Sequence, residues 1–299
     1  MIRHQPGVPI APLGLVAGGG LMPLRVADAV AKAGRDLCII LIQGFANPAD
    51  YARFQAVHVL PLGHLGRMLT VLRGAGVRDL VLAGRVKRPS LLSFRFDAEG
   101  VRLVARLGRR ALFGGDDGLL SASLGLLREL GFNPLGGQEL LADLLVEPGL
   151  LVGPAPDALA RADIARGIAV MRALGAADVG QGCVVQQGLV LGLEAIEGTD
   201  ALLARCGEQR REGPGGVLVK LMKPRQDTRV DLPTIGPDTI RHAAAAGLRG
   251  LAIEGRYGQS GTIVIDCDAT IAEARATGLF VLAIRPDIFL SETAKETAP

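Results

Sequence analysis

The sequence predicts an α/β protein of two domains: an N-terminal Rossmann-like domain on a parallel sheet, and a C-terminal α/β domain with a mixed sheet. Three observations predict it. The length, 299 residues, suits two domains of ordinary size. In the first half, short apolar runs alternate with helical periodicity, which implies βαβ units and parallel strands. Past a Pro- and Gly-marked break near residue 150 the pattern changes, with two strand-like runs placed around a Gly turn. The expected boundaries are 12–148 for the first domain, 149–156 for a linker and 157–288 for the second.

In order along the chain, Leu13 to Ala17 reads as a short apolar strand ended by Gly18-Gly19-Gly20. Pro23 to Ala33 follows with helical spacing of Leu24, Ala27, Val30 and Ala31. Asp36 to Ile42 and Val57 to Leu62 are continuous apolar runs, as expected of strands covered on both faces. Leu65 to Leu72 is helical, Asp79 to Ala83 is a fourth strand, and Gly118 to Leu130 is an amphipathic helix. Pro154, Pro156 and Gly153 mark the linker, and Asp157 is an N-cap candidate for a helix from Ala158 to Ala173. Cys183 to Leu193 reads as two strands about Gly188. Further strands are expected at Val217–Leu221, Gly250–Glu254, Thr262–Ile265 and Leu279–Ile284, with helices at Asp200–Glu212, Pro237–Ala246 and Ala269–Thr277. The first dozen residues and the tail from Ser291 to Pro299 are expected to be loose ends. There is no internal repeat.

Composition narrows the function. Aromatics are scarce, with two Tyr and no Trp, which argues against recognition of single-stranded nucleic acid by base stacking. A net charge of +3 leaves no footprint for duplex nucleic acid, so no nucleic-acid partner is expected. Cys38, Cys183, Cys206 and Cys267 form no CxxC pair and His is too sparse to complete a zinc set. Cys38 and Cys183 lie in apolar runs and read as buried thiols, a usage that fits a reducing cytoplasm. Three prolines interrupt the apolar stretch near the start, so a signal peptide is not expected. No stretch approaches the roughly 20 apolar residues of a membrane span.

Charge concentrates where chemistry is expected. Lys220 to Gly236 carries three Lys or Arg near its start, Arg229 and two Asp, in a Pro-punctuated run that cannot be a regular helix. Upstream, Glu194, Glu197 and Asp200 put three carboxylates into seven residues, which repel unless a cation or a basic side chain sits among them. Thr199 or Asp200 can also cap the following helix. Basic groups clamp phosphate oxygens, and a carboxylate such as Asp231 can bind Mg²⁺ or orient a water. Asp178-Val-Gly-Gln181-Gly adds a side-chain amide on a Gly-rich turn. The Gly18–Gly20 turn is either a phosphate-receiving loop, through Gly19 and Gly20, or a plain strand-to-helix turn. Gly84 to Pro89 is either a basic ligand site at a strand's carboxyl end or a solvated loop. Gly114 to Gly118 is read as the acidic N-cap of its helix in preference to a metal loop. His58, His64 and His242 stand isolated and are read as structural.

Taken together, Leu13-Gly-Leu-Val-Ala-Gly-Gly-Gly, Asp178-Val-Gly-Gln-Gly, Glu194-Ala-Ile-Glu-Gly-Thr-Asp200 and Lys223-Pro-Arg-Gln-Asp-Thr-Arg-Val-Asp-Leu-Pro-Thr-Ile-Gly236 resemble the UDP-2,3-diacylglucosamine pyrophosphatase family of the LpxI type, over about Leu13 to Ile284. The resemblance implies a dimeric, cytoplasmic, Mg²⁺-dependent hydrolase of lipid A biosynthesis, in peripheral contact with inner-membrane lipid, that releases UMP and 2,3-diacylglucosamine 1-phosphate (lipid X). It implies two domains holding the ligand between them. Carried onto this chain, the catalytic residue is Asp231, and the substrate contacts are Leu21, Gly84, Arg85, Gln181, Thr199, Asp200, Lys220 and Arg229. Asp231 and Glu194 are the expected metal ligands. Two alternatives stay open: hydrolysis of another nucleotide-diphosphate sugar or a dinucleotide, and a non-catalytic nucleotide-sensing module.

Overall fold

The apolar run Leu37–Ile42 becomes a strand covered on both faces, whereas Val57–Leu60, expected to be the same, is an edge strand that exposes His58 and Val59. The structure is a computed structural model that describes residues 11–86, 96–113, 116–141, 144–224, 228–229 and 231–296. The chain divides after Leu141 into two units.

In the first unit the strands are β1 (Leu13–Ala17), β2 (Leu37–Ile42), β3 (Val57–Leu60), β4 (Asp79–Ala83) and β5 (Asn133–Leu135). All pair in parallel, in the order β3-β2-β1-β4-β5. The helices are α1 (Met22–Lys32), α2 (Leu65–Gly74), α3 (Ala98–Phe113), α4 (Asp116–Glu129) and the single turn α5 (Gly137–Leu140). Alternation sends Leu13, Leu15, Ile39, Leu41 and Val81 to the face packed by Val26, Ala27 and Val30 of α1. Cys38, Ile40, Ile42 and Leu80 go to the opposite face, under Met68, Leu69 and Leu72 of α2 and Leu103 of α3. The Rossmann-like parallel sheet is as expected. The long helix α3 was not among the expected elements, although Val101, Val104, Leu107 and Ala111 recur at helical spacing along it. Chain order reverses between β1 and β4, so these two carboxyl ends form the sheet's topological switch point.

The second unit carries β6 (Gly149–Val152), β7 (Gly182–Gln186), β8 (Leu189–Leu193), β9 (Val217–Lys220), β10 (Thr234–Ile235), β11 (Gly250–Glu254), β12 (Ile263–Val264) and β13 (Phe280–Ile284). Six of these form a mixed sheet in the order β6-β13-β11-β9-β7-β8, with β13, β11 and β9 parallel and both edges antiparallel. The pair β10–β12 is a separate parallel ribbon. Helix α6 (Ala158–Ala176) covers one face with Ala160, Ile164, Ile168 and Met171, joined by Phe289 of α10 (Pro286–Glu296). Helices α7 (Thr199–Glu208), α8 (Pro237–Ala245) and α9 (Cys267–Thr277) cover the other.

Two expectations are corrected. The stretch 149–156, read as a linker, holds edge strand β6, which pairs with β13; its prolines follow the strand and do not interrupt it. The tail from Ser291, read as loose, continues helix α10 to Glu296, because Phe289 anchors that helix in the core. Asp157 caps α6 as expected, accepting from the Ala160 amide at 2.8 Å. Cys38 and Cys183 are buried, and burial pushes the Cys183 thiol up to about 12. Among the described residues, no helix is long and apolar enough to cross a membrane.

The turn between β7 and β8 is held from below. Gln187 and Gly188 have φ of 52° and 78°, the left-handed pair of a type I′ turn. Asp163 of α6, 1% exposed, accepts from the Gln187 amide at 3.0 Å and from the Gly188 amide at 2.7 Å. Replacing it by Ala removes two charge-assisted bonds from a buried position. Asp163→Ala is expected to cost about 2 kcal/mol in a urea titration followed by circular dichroism; an unchanged midpoint would show that the turn needs no support from α6.

Candidate active site

Strand alternation decides where the charged end of β9 points. Val217 and Val219 pack toward α6, and Leu218 toward the α7–α9 layer. Lys220 shares the parity of Leu218 and leaves the sheet on the side of α7. There its Nζ donates to Thr199 Oγ1 at 2.6 Å and to the two Glu194 oxygens at 3.1 and 3.3 Å. The Thr199 hydroxyl in turn donates to Glu194 Oε1 at 2.8 Å. The Lys220 side chain is 5% exposed and that of Glu194 12%. Three ammonium protons meet three acceptor atoms, which is the condition under which a buried ion pair is tolerated.

Glu194 sits against two glycines. Its amide donates to the Gly182 carbonyl at 2.8 Å. A Cβ at position 180 would lie 1.9 Å from the Glu194 carbonyl oxygen, and one at position 182 would lie 2.6 Å from its Oε2. Between these glycines, the Gln181 carbonyl accepts from the Leu221 amide at 3.0 Å, and its Nε2 donates to Asp231 Oδ2 at 3.0 Å. Residues 180–182 therefore join the Lys220 group to the Asp231 group. Lys223, 7% exposed, places Nζ 3.8 Å from Asp231 Oδ2 and donates to Asp178 Oδ1 at 2.6 Å. The sequence reading did not single out Lys223 or Asp178. Both stand inside the quoted motifs, but only the fold reveals that α6 ends Asp178 opposite the lysine.

The crowding of Glu194, Glu197 and Asp200 is resolved by three separate bases. Glu194 meets Lys220, Glu197 meets Arg205 at 2.7 Å, and Asp200 meets His242 at 3.2 Å. His242 is thus paired, where the sequence left it isolated. Neither Thr199 nor Asp200 caps α7. Gly198 is the N-cap, at φ 81°, and Thr199 is the first helical residue with its hydroxyl turned into the ion pair. Arg229 lies half-buried two residues before Asp231, while Arg225, Gln226 and Asp227 fall outside the described residues.

The metal expectation divides. Both Glu194 oxygens are held by Lys220 and Thr199, so a cation on Glu194 would face an ammonium group; Glu194 does not fit a metal-ligand role in this arrangement. Asp231 fits better: among the described residues, Oδ1 accepts no hydrogen bond while Oδ2 is held by Gln181. A single carboxylate suits magnesium, which completes its shell with water and substrate phosphates. Among the described residues, no group of three or more His, Cys, Asp or Glu is placed to hold a metal.

The N-terminal unit gathers the other expected contacts at its switch point. The Gly19 amide donates to the Arg85 carbonyl at 2.9 Å and the Arg85 amide to the Gly19 carbonyl at 2.8 Å. Gly18 donates to Ala83 at 2.8 Å. The amides of Gly18 and Gly19 are therefore occupied, which leaves the Gly20–Leu21 step as the part of the turn able to receive an anion. Gly84, at φ 92°, would place a Cβ 2.8 Å from the Gly19 carbonyl oxygen, so the two loops meet backbone to backbone. Leu21 is half exposed. Lys87, Arg88 and Pro89 lie outside the described residues, as do Gly114 and Gly115; Asp116 opens α4.

Family models of the LpxI N-terminal domain and the LpxI C-terminal domain match residues 12–144 and 147–282. The chain belongs to the LpxI family. It is 40% identical over 283 residues to the UDP-2,3-diacylglucosamine pyrophosphatase LpxI of Caulobacter vibrioides, which covers 92% of this chain and 98% of that protein. The family resemblance read from the four motifs is thereby shown. The charged groups of this LpxI-family chain hang on residues 180–182, and that dependence is measurable. Gly180→Ala is expected to cost about 2 kcal/mol or more, since the added methyl must displace a backbone carbonyl. Gly74→Ala, at a helical position with nothing within 4 Å, is the control and is expected to be neutral or slightly stabilising in the same thermal melts. Equal melting of the two variants would remove the steric argument.

Proposed function

We propose that this protein hydrolyses the pyrophosphate of UDP-2,3-diacylglucosamine to UMP and 2,3-diacylglucosamine 1-phosphate, in lipid A biosynthesis. The observation that carries the reading is the Asp231 carboxylate, held through one oxygen by Gln181 beside Lys223, in a chain of the LpxI family. A dyad of phosphates demands compensating charge, and an in-line displacement demands an oriented water.

Asp231 is the proposed catalytic residue. Its tether to Gln181 fixes the plane of the carboxylate, and Oδ1 is the atom that orients the attacking water or holds Mg²⁺. Bound there, magnesium would supply neutralising charge to the pyrophosphate oxygens. The water oxygen joins the sugar-side phosphorus, the bond from that phosphorus to the bridging oxygen breaks, and UMP departs with the bridging oxygen. Arg229 contacts the phosphates, and Thr199 and Asp200 offer the first-turn amides of α7, where a helix favours an anion. In the N-terminal unit, the Gly20–Leu21 step with Gly84 and Arg85 is the proposed contact for the nucleotide portion. Because the substrate carries acyl chains, we place the protein in the cytoplasm in peripheral contact with the inner membrane, acting as a homodimer.

The test is UMP release from UDP-2,3-diacylglucosamine in magnesium buffer. Asp231→Asn preserves size and one acceptor but removes the charge. It is expected to lower kcat by at least a thousandfold with an unchanged melting temperature. Addition of a chelator should abolish wild-type turnover. Near-wild-type turnover by Asp231→Asn would overturn the catalytic assignment. Equal rates on soluble UDP-sugars would overturn the lipid specificity.

A further inference from the structure

Lys220 carries a charge of the right sign for the pyrophosphate but is not disposed to reach it. Its side chain is 5% exposed, and each proton of its ammonium group is directed at an acceptor within the protein: Thr199 Oγ1 and the two oxygens of Glu194. Thr199 donates its own proton to Glu194. The three side chains form a closed set in which every donor is spent. Gly180 and Gly182 lie so close to Glu194 that a Cβ at either would collide with its carbonyl oxygen or its carboxylate. The set joins the end of β8, the first residue of α7 and the last residue of β9. Charge accounting points the same way. Lys220 and Glu194 cancel, so the pair brings no surplus positive charge to a diphosphate.

We infer that Glu194 and Lys220 are a positioning pair for the proposed hydrolysis, locking the 194–200 turn so that Thr199 and Asp200 at the start of α7 are held ready for the phosphates, with neither Glu194 binding metal nor Lys220 touching substrate. The inference rests on the activity proposed above. It separates from the alternatives by sign. If Lys220 clamped the pyrophosphate directly, neutralising Glu194 would leave it more positive toward a dianion, and binding would tighten or hold. If Glu194 were a metal ligand, its loss would raise the magnesium concentration required for half-maximal rate. If the pair positions the turn, neutralising Glu194 leaves a buried ammonium uncompensated, the turn loosens, and binding weakens while the chemistry at Asp231 persists.

The experiment measures kcat and KM for UDP-2,3-diacylglucosamine, with magnesium titrations, in Glu194→Gln, Lys220→Met and the double variant Glu194→Leu with Lys220→Met. Glu194→Gln is expected to raise KM at least tenfold, keep kcat within about threefold and leave the half-saturating magnesium concentration unchanged. Lys220→Met is expected to lower kcat/KM about a hundredfold. The double variant, which strands neither charge, is expected to recover at least tenfold over Lys220→Met. Three results would overturn the inference: a KM for Glu194→Gln that is unchanged or lower, a shifted magnesium requirement, or a double variant as poor as Lys220→Met. Should the double variant fail to melt cooperatively, the near-isosteric Glu194→Gln decides alone through the sign of its KM change. A wild-type protein inactive on this substrate would instead defeat the proposed function, leaving the two failures distinguishable.

Discussion

The arrangement of the C-terminal unit depends on one buried ion pair, Lys220 with Glu194. Taking both charges out of water is expensive, and the attraction between them offsets that cost only when the remaining hydrogen-bonding capacity is filled. Thr199 fills it, accepting from the lysine and donating to the glutamate. Removing one partner of such a pair leaves a stranded charge, at roughly 3–5 kcal/mol. The glycines at 180 and 182 follow from the same requirement, since side chains there would push Glu194 away from the lysine. Gln181, fixed between them, then reaches Asp231.

Around Asp231 two carboxylates face a buried lysine. Lys223 lies closer to Asp178 than to Asp231, 2.6 Å against 3.8 Å. Hydrogen bonding separates two carboxylates that look equivalent in sequence: among the described residues, Glu194 accepts through both oxygens and Asp231 through Oδ2.

Much of this architecture was legible in the chain. The apolar runs of β2, β7 and β9 admit no surface position, and their burial on both faces follows directly. In the Pro-punctuated run after Lys220, the described residues before Gly236 form no helix, as expected, and Thr234–Ile235 is a short strand. What the sequence concealed was pairing across space. Periodicity cannot say that His242 of α8 lies beside Asp200 of α7, nor that Asp178 meets Lys223, because each pair spans 42 or more positions. Edge strand β6 was hidden for a different reason. Its proline and glycine neighbours carry the composition of a linker, and only its pairing with β13 makes it a strand.

The reciprocal bonds between Gly19 and Arg85 bear on how this edge can vary among relatives. Position 85 holds the switch point closed through its peptide N–H and carbonyl, which every residue except proline supplies in full. Those two main-chain bonds therefore do not depend on which side chain stands there. Position 84, pressed against the Gly18–Gly19 backbone at positive φ, has no such latitude. Neighbouring residues at one rim thus live under opposite rules, one constrained in identity and the other in main chain alone. A change of residue at position 85 can then leave the main-chain bonds of the rim in place, while a change at position 84 cannot.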